Sequence, residues 1–368
     1  MKHRLSSAFP PLAAAALFLA LLLDPAGAAA GVREGLSLAL GTAVPALFPF
    51  FLASSLLVST GGAAILGRLL APLTRALFGL PGAAAPALVL GLAGGYPVGA
   101  KTVRELLDAG LLTHDEAERA LTCCNNTGPG FLVGMCGAAI LGSPRAGLFL
   151  YAVHAVSAVL TGVALSRRED GSSSARPQAA ARRPFSACFV DAVQAAGATA
   201  LRVTAFIVTF SALLRLLRGL GTVDALARLL APLCPLLGLP RTGADALVLG
   251  SLELTCGLSA LPQSAGRALL PAMSLLVAFG GLSVWCQSAA VLAGSGLSLR
   301  PCVVGKCLHG LLAGALASVL LGLAPHAAPT FAPGALPAPA GSALPGILLL
   351  SFSILLPFVS GKRRRDLV

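Results

Sequence analysis

With 56% hydrophobic and 11% charged residues over 368 positions, this chain cannot cover a globule with water-compatible surface, since soluble domains carry about 25% charged residues. The formal charge of +12 comes from bases clustered at the ends of apolar stretches, which fits cytoplasmic retention of Lys and Arg better than a nucleic-acid footprint. Nine Cys contain no CxxC pair and lie mostly in apolar segments, which argues against a disulfide framework or a zinc site.

Residues 1–34 begin basic, run apolar from Phe9 to Leu23, and leave through Asp24-Pro25 into small residues. This is the pattern of a first transmembrane helix or signal-anchor; a cleaved signal peptide has the same layout. We read it as retained, because the rest of the chain is membrane-like. Residues 35–60 form the next span, interrupted by Pro45 and Pro49, and 61–80 read as an amphipathic interfacial segment with Arg68 and Arg75. Residues 83–100 are apolar but broken by Gly91, Gly94, Gly95, Pro97 and Gly99. The charged piece 102–120 predicts a water-exposed helix with a Thr113–Glu116 capping box. A span broken at Asn125-Asn126-Thr127-Gly128-Pro129-Gly130 covers 121–142, and an unbroken one follows at 146–165.

The linker 166–185 carries five Arg and should face the cytoplasm, as should the tail Lys362-Arg363-Arg364-Arg365. Between them the apolar pattern predicts spans at 201–219, 271–294, 302–324 and 345–360, with a broken segment at 242–262 and an external Pro/Ala loop at 325–344. Arg68-Leu69-Leu70-Ala71-Pro72-Leu73 recurs at 228–233, Gly79-Leu80-Pro81 at 238–240, and Ala87-Leu88-Val89-Leu90-Gly91 at 246–250. Three ordered matches at a near-constant offset mark an internal repeat. An odd number of crossings per copy would turn the second copy upside down, a plan common among secondary transporters. The expectation is therefore an all-α polytopic membrane protein, with about eight transmembrane helices and two re-entrant broken hairpins in an inverted repeat. The first repeat covers 35–165, the second 186–324, and residues 345–368 form a last helix and basic tail. Both termini would be cytoplasmic if the first helix is retained.

Gly/Pro breaks at membrane depth survive only when buried in protein or lining a cavity. Each break frees N–H groups suited to an anion and carbonyls suited to a cation. The candidate substrate-binding residues follow: Gly94, Gly95, Tyr96, Pro97, Gly99 and Lys101 on the first hairpin, Asn125, Asn126, Thr127 and Gly128 on the broken span. The second copy offers Glu253, Thr255 and Gly257 on its hairpin, and Ser283 and Gln287 after Gly280-Gly281. Helix–helix hydrogen bonding is the structural alternative for the polar members, an anchoring role for Lys101, and an acid snorkelling to the interface for Glu253. Glu253 is an acid inside an apolar re-entrant segment, which makes it the candidate proton carrier. The five His are scattered along the sequence and suggest no ligand set; HExxH, GxSxG and P-loop patterns are absent, so we expect no enzyme, no cofactor and no metal site.

Phe48-Pro49-Phe50-Phe51, Ser54-Ser55-Leu56-Leu57, Gly94 to Lys101 (GGYPVGAK) and Cys124 to Pro129 (CNNTGP) resemble the sporulation integral membrane protein YlbJ family. That family falls in the wider group with a nucleoside-recognition Gate domain, shared with concentrative nucleoside transporters and the membrane region of FeoB proteins. The resemblance covers about residues 35–325. It implies a membrane transporter or facilitator of a small polar solute acting in spore formation, with dipicolinate passage into the developing spore as the candidate. A nucleoside transporter and a non-transporting sporulation scaffold are the alternatives. It also implies a site built from 94–101, 125–129, 250–257 and 280–287. The expected partners are membrane lipid, a small-molecule substrate and a coupling ion, proton or sodium. A homo-oligomer is compatible with this plan, and no nucleic acid is expected.

Overall fold

The computed structural model describes residues 2–166 and 183–323, and over these it is helical throughout. The Arg-rich linker at 167–182, the Pro/Ala loop, the last predicted span and the basic tail lie outside the described residues.

Helix α1 (Lys2–Leu23) ends where Asp24 caps the next helix: its Oδ1 accepts from Gly27 N at 2.7 Å, and Pro25 occupies the first helical position, where its missing N–H costs nothing. The chain turns there by 102°. Helix α2 (Pro25–Leu38) passes through a π-helical turn at 39–43 into α3 (Val44–Ser59), so the helical run begins at 25 rather than at the predicted 35. Pro45 lies in the first turn of α3, and Pro49 is carried inside it. Gly61 in the left-handed region then turns the chain by 89° into α4 (Gly62–Phe78), the expected interfacial segment.

The first hairpin is α5 (Ala85–Gly94), a break over Gly95-Tyr96-Pro97, and α6 (Val98–Asp108). Helix α7 (His114–Leu121) opens on the predicted capping box: Thr113 Oγ1 accepts from Glu116 N at 3.3 Å, and Glu116 Oε2 from Thr113 N at 2.8 Å. The chain leaves the helix at 125–128, winds as a π-helix over 130–140, and continues in α8 (Pro144–Leu165).

The second copy follows the same order. Helix α9 (Phe185–Gly219) is 35 residues long and starts well before the predicted 201. Its ends lie 160 positions after the ends of the α2–α3 run, the offset of the sequence repeat. Helix α10 (Thr222–Leu230) gives way to 3₁₀ turns at Ala231–Leu237, because Pro235 adds to Pro232 a second residue without an N–H, whereas α4 tolerates Pro72 alone. The second hairpin is α11 (Ala244–Leu252), a break at Glu253, and α12 (Leu254–Ala260). Then come α13 (Leu269–Phe279), a break at Gly280, α14 (Gly281–Leu292) and α15 (Arg300–Leu323).

The equivalent helices of the two copies pack antiparallel. A Cβ on Gly31 would stand 2.7 Å from Ala212 Cα, and one on Gly35 would stand 2.7 Å from Val208 Cα; at the other end Cys188 Sγ donates to Ser59 O at 3.5 Å. Small residues permit this close approach of backbones without help from a hydrophobic driving force. Such pairing of like with like, in opposite directions, is what an inverted repeat requires. Among the described residues four helices are long and apolar enough to cross a membrane, or up to six if each bent pair is one span.

Candidate functional site

The two breaks of the first copy are threaded through each other. A Cβ on Gly91 would sit 1.7 Å from Cys124 O, and one on Gly99 1.9 Å from the same oxygen, so both hairpin arms meet the broken stretch of chain backbone to backbone. Gly95 and Gly128 meet in the same way, at 3.0 and 2.9 Å from each other's N. The second copy repeats the device: a Cβ on Gly257 would lie 2.1 Å from Gly250 Cα, and one on Gly281 2.7 Å from Gly250 O. These glycines are packing positions; only Gly95, Gly280 and Gly281 also need the left-handed backbone.

Polar side chains tie the copies together. The Tyr96 hydroxyl, beside a cis Tyr96-Pro97 bond, donates to Val277 O at 3.0 Å, and Thr127 Oγ1 donates to the same carbonyl at 3.3 Å. Asn125 Nδ2 donates to Ser288 Oγ at 2.8 Å, and Asn126 Nδ2 to Cys123 O at 2.8 Å. Both amide orientations follow from this network, because Ser288 already gives its proton to Val284 O and Cys123 O can only accept. Asn125 Oδ1 and Asn126 Oδ1 are buried without a hydrogen-bond partner among the described residues. In the second copy Gln287 Nε2 donates to Ser283 Oγ at 3.3 Å, within α14. Trp285 Nε1 donates to Phe279 O at 3.1 Å, satisfying a carbonyl freed at the Gly280 break.

Two charged candidates have other partners. Lys101 is buried, pairs with Glu105 at 2.6 Å and donates to Ser55 on α3, so it acts between α3 and α6 rather than at the crossing of the breaks. Glu253 is buried at the head of α12, where its Oε2 accepts from Cys256 N at 2.8 Å as a helix cap. Thr255, two residues further on, is half-buried.

Sequence reasoning missed a cluster behind the first break. Lys306 on α15 is 2% exposed and donates to Asn125 O at 2.9 Å. Its Nζ also lies 3.0 Å from His309 Nδ1 and 4.8 Å from the centre of the Tyr96 ring. His309 Nε2 reaches His154 O and Ser157 Oγ, both at 3.0 Å, and the rings of His154 and His309 are 4.5 Å apart. His154 Nε2 accepts from Thr127 N at 3.0 Å. Two of the five His that look scattered in the sequence are thus in contact, although no group of three or more His, Cys, Asp or Glu suited to a metal ion occurs among the described residues. A lone Lys in an apolar 24-residue helix was the available signal.

A family model for nucleoside recognition, Gate, matches residues 40–167 and 200–298, well over half of the chain. The chain belongs to the Gate family. Over 310 residues it is 27% identical to the sporulation integral membrane protein YlbJ of Bacillus subtilis (strain 168), covering 78% of this chain and 76% of that protein. A solved structure of a CNTnw variant in its intermediate 3 state matches with a TM-score of 0.42 and 16% identity, over 87% of this chain and 86% of that one. The Gate match takes in both hairpins and both broken spans, and it ends before Lys306 and His309.

Proposed function

We propose that this Gate protein is a transporter of a small polar solute acting in spore formation, with dipicolinate as the solute. One observation carries the reading: inside an apolar helical body, the break at 125–128 and the first hairpin cross, and there two Asn side chains hold buried oxygens that no donor among the described residues satisfies. Unpaired polar groups in a low-dielectric interior are costly and mark places where a ligand completes the hydrogen bonding. The spore role is supported by the similarity to YlbJ. The positive charge of Lys306 and the imidazole pair beside it suit an anionic, ring-nitrogen-bearing solute.

The site is read as Gly94 to Gly99 with Asn125 to Gly128 on one side, and Gly257, Ser283 and Gln287 on the other. The test is uptake into proteoliposomes of purified protein, with labelled dipicolinate and a nucleoside as parallel solutes. Dipicolinate uptake above empty liposomes, abolished in Asn125→Ala, is the expected result. Nucleoside uptake alone would reassign the solute; no uptake of either by well-inserted protein would remove the transport reading.

A further inference from the structure

Lys306 is one of the most deeply buried large side chains, and no carboxylate pairs with it among the described residues; the ion pairs there all lie elsewhere. The titratable groups around it are Tyr96, Cys123, Cys124, Cys302, His154 and His309. Its surroundings supply an ammonium with three acceptors for three N–H bonds: Asn125 O, His309 Nδ1 and the face of Tyr96.

The hydrogen-bond chain fixes the tautomer of His309. Ser157 gives its hydroxyl proton to backbone carbonyls, at 2.7 Å to Val153 O and 3.0 Å to His154 O. Facing that hydroxyl oxygen and the His154 carbonyl, His309 Nε2 must be the protonated nitrogen. In a neutral ring His309 Nδ1 is then the acceptor, and Lys306 is the donor. When Lys306 is an ammonium, a proton crossing the 3.0 Å gap would move its charge to His309 without changing the charge of the pair.

That charge has a specific seat. Residues 122–128 leave the helix, and the carbonyl of Asn125 takes its hydrogen bond from Lys306. Carbonyls of an unwound transmembrane segment are the groups that hold a coupling cation in broken-helix transporters. Gly305 makes the delivery feasible: a Cβ there would fall 1.9 Å from Thr122 O, so only a bare backbone lets α15 approach closely enough to insert the next side chain.

We propose that Lys306 is a built-in cation seated on the carbonyl freed by the first break, where it takes the place of a dissociable coupling cation. Its coupling role rests on the transport reading; its seat rests on the geometry alone. A neutral residue at 306 would leave Asn125 O without its donor, as an empty cation seat.

The test uses the full chain in detergent and follows thermal unfolding through the fluorescence of Trp285, the single Trp, which sits at the Gly280 break. Wild type, Lys306→Ala and Lys306→Met are purified and compared in choline, sodium and methylammonium chloride at equal ionic strength. The wild-type midpoint should be the same in all three salts. The neutral variants should melt several degrees lower in choline and regain the loss saturably in sodium or methylammonium, as a ligand that binds only the folded state requires. A saturable sodium response of the wild type would overturn the proposal. So would neutral variants that melt alike in all three salts, or that fail to fold in every one of them. No solute enters this experiment, so its failure would leave transport standing, and a failure of uptake would leave this result unchanged.

Discussion

Single side chains at the crossing of the breaks do one of two things: they complete a backbone that the breaks leave unpaired, or they remain short of a partner. Tyr96 belongs to the first kind. Its hydroxyl reaches Val277 O, on the far side of the chain's duplication, while its ring lies under Lys306. Tyr96→Phe removes the hydroxyl and keeps the ring. We expect a loss of ~1 kcal/mol in stability, with the protein still folded, measured as a lowered thermal midpoint in detergent. A loss of folding would mean that the hydroxyl, not the ring, organises the contact. Glu253 is a cap in the structure, and its amide analogue can accept the same bond from Cys256 N. Glu253→Gln should therefore keep uptake and stability, whereas Glu253→Ala should lose ~1 kcal/mol. Concentrative uptake lost in Glu253→Gln, with solute exchange retained, would instead make the carboxyl a proton carrier.

Glycine placement governs the elements. Gly99→Ala drives a methyl group to within 1.9 Å of Cys124 O, backbone against backbone, where nothing flexible can yield. Gly197, inside α9, faces open space. Gly197→Ala should raise stability by up to ~1 kcal/mol, while Gly99→Ala should prevent accumulation of folded protein; both are read by size-exclusion profile and thermal midpoint. The breaks themselves were legible because runs of Gly and Pro survive at membrane depth only where the freed backbone is buried in protein or lines a cavity. The capping box was legible too, from a local residue pattern. The starts of α2 and α9 were not: residues 25–34 and 185–200 mix Ala and Gly with charges, and packing of one copy's helix on the other's decides their helicity. The Lys306 cluster was hidden for a different reason. Lys306 and His309 lie more than 150 positions from His154, so each reads alone as an isolated polar residue until α15 and α8 are laid side by side.

At the scale of the whole molecule, the antiparallel pairing of α2–α3 with α9 has a consequence for orientation. If equivalent helices run oppositely, every equivalent pair of segments lies on opposite faces of the membrane: α4 with its Arg68 and Arg75 on one side, α10 with Arg228 on the other. The count of crossings between them must then be odd, which fixes where the linker falls once one face is assigned. With five Arg in the linker we expect it on the cytoplasmic side, because short loops rich in Lys and Arg are retained there. Reporter fusions placed at position 175 and after the final residue should therefore give cytoplasmic signals, and a fusion at position 335 an external one. Moving the linker outside by replacing its Arg residues with Gln should be resisted, since the two copies lock each other's orientation through the Gly31 and Gly35 contacts. An external signal at 175 in the unaltered chain would overturn the charge-based assignment and invert the whole molecule; the antiparallel pairing, which fixes only the orientation of one copy relative to the other, is broken instead by signals that place α4 and α10 on the same face.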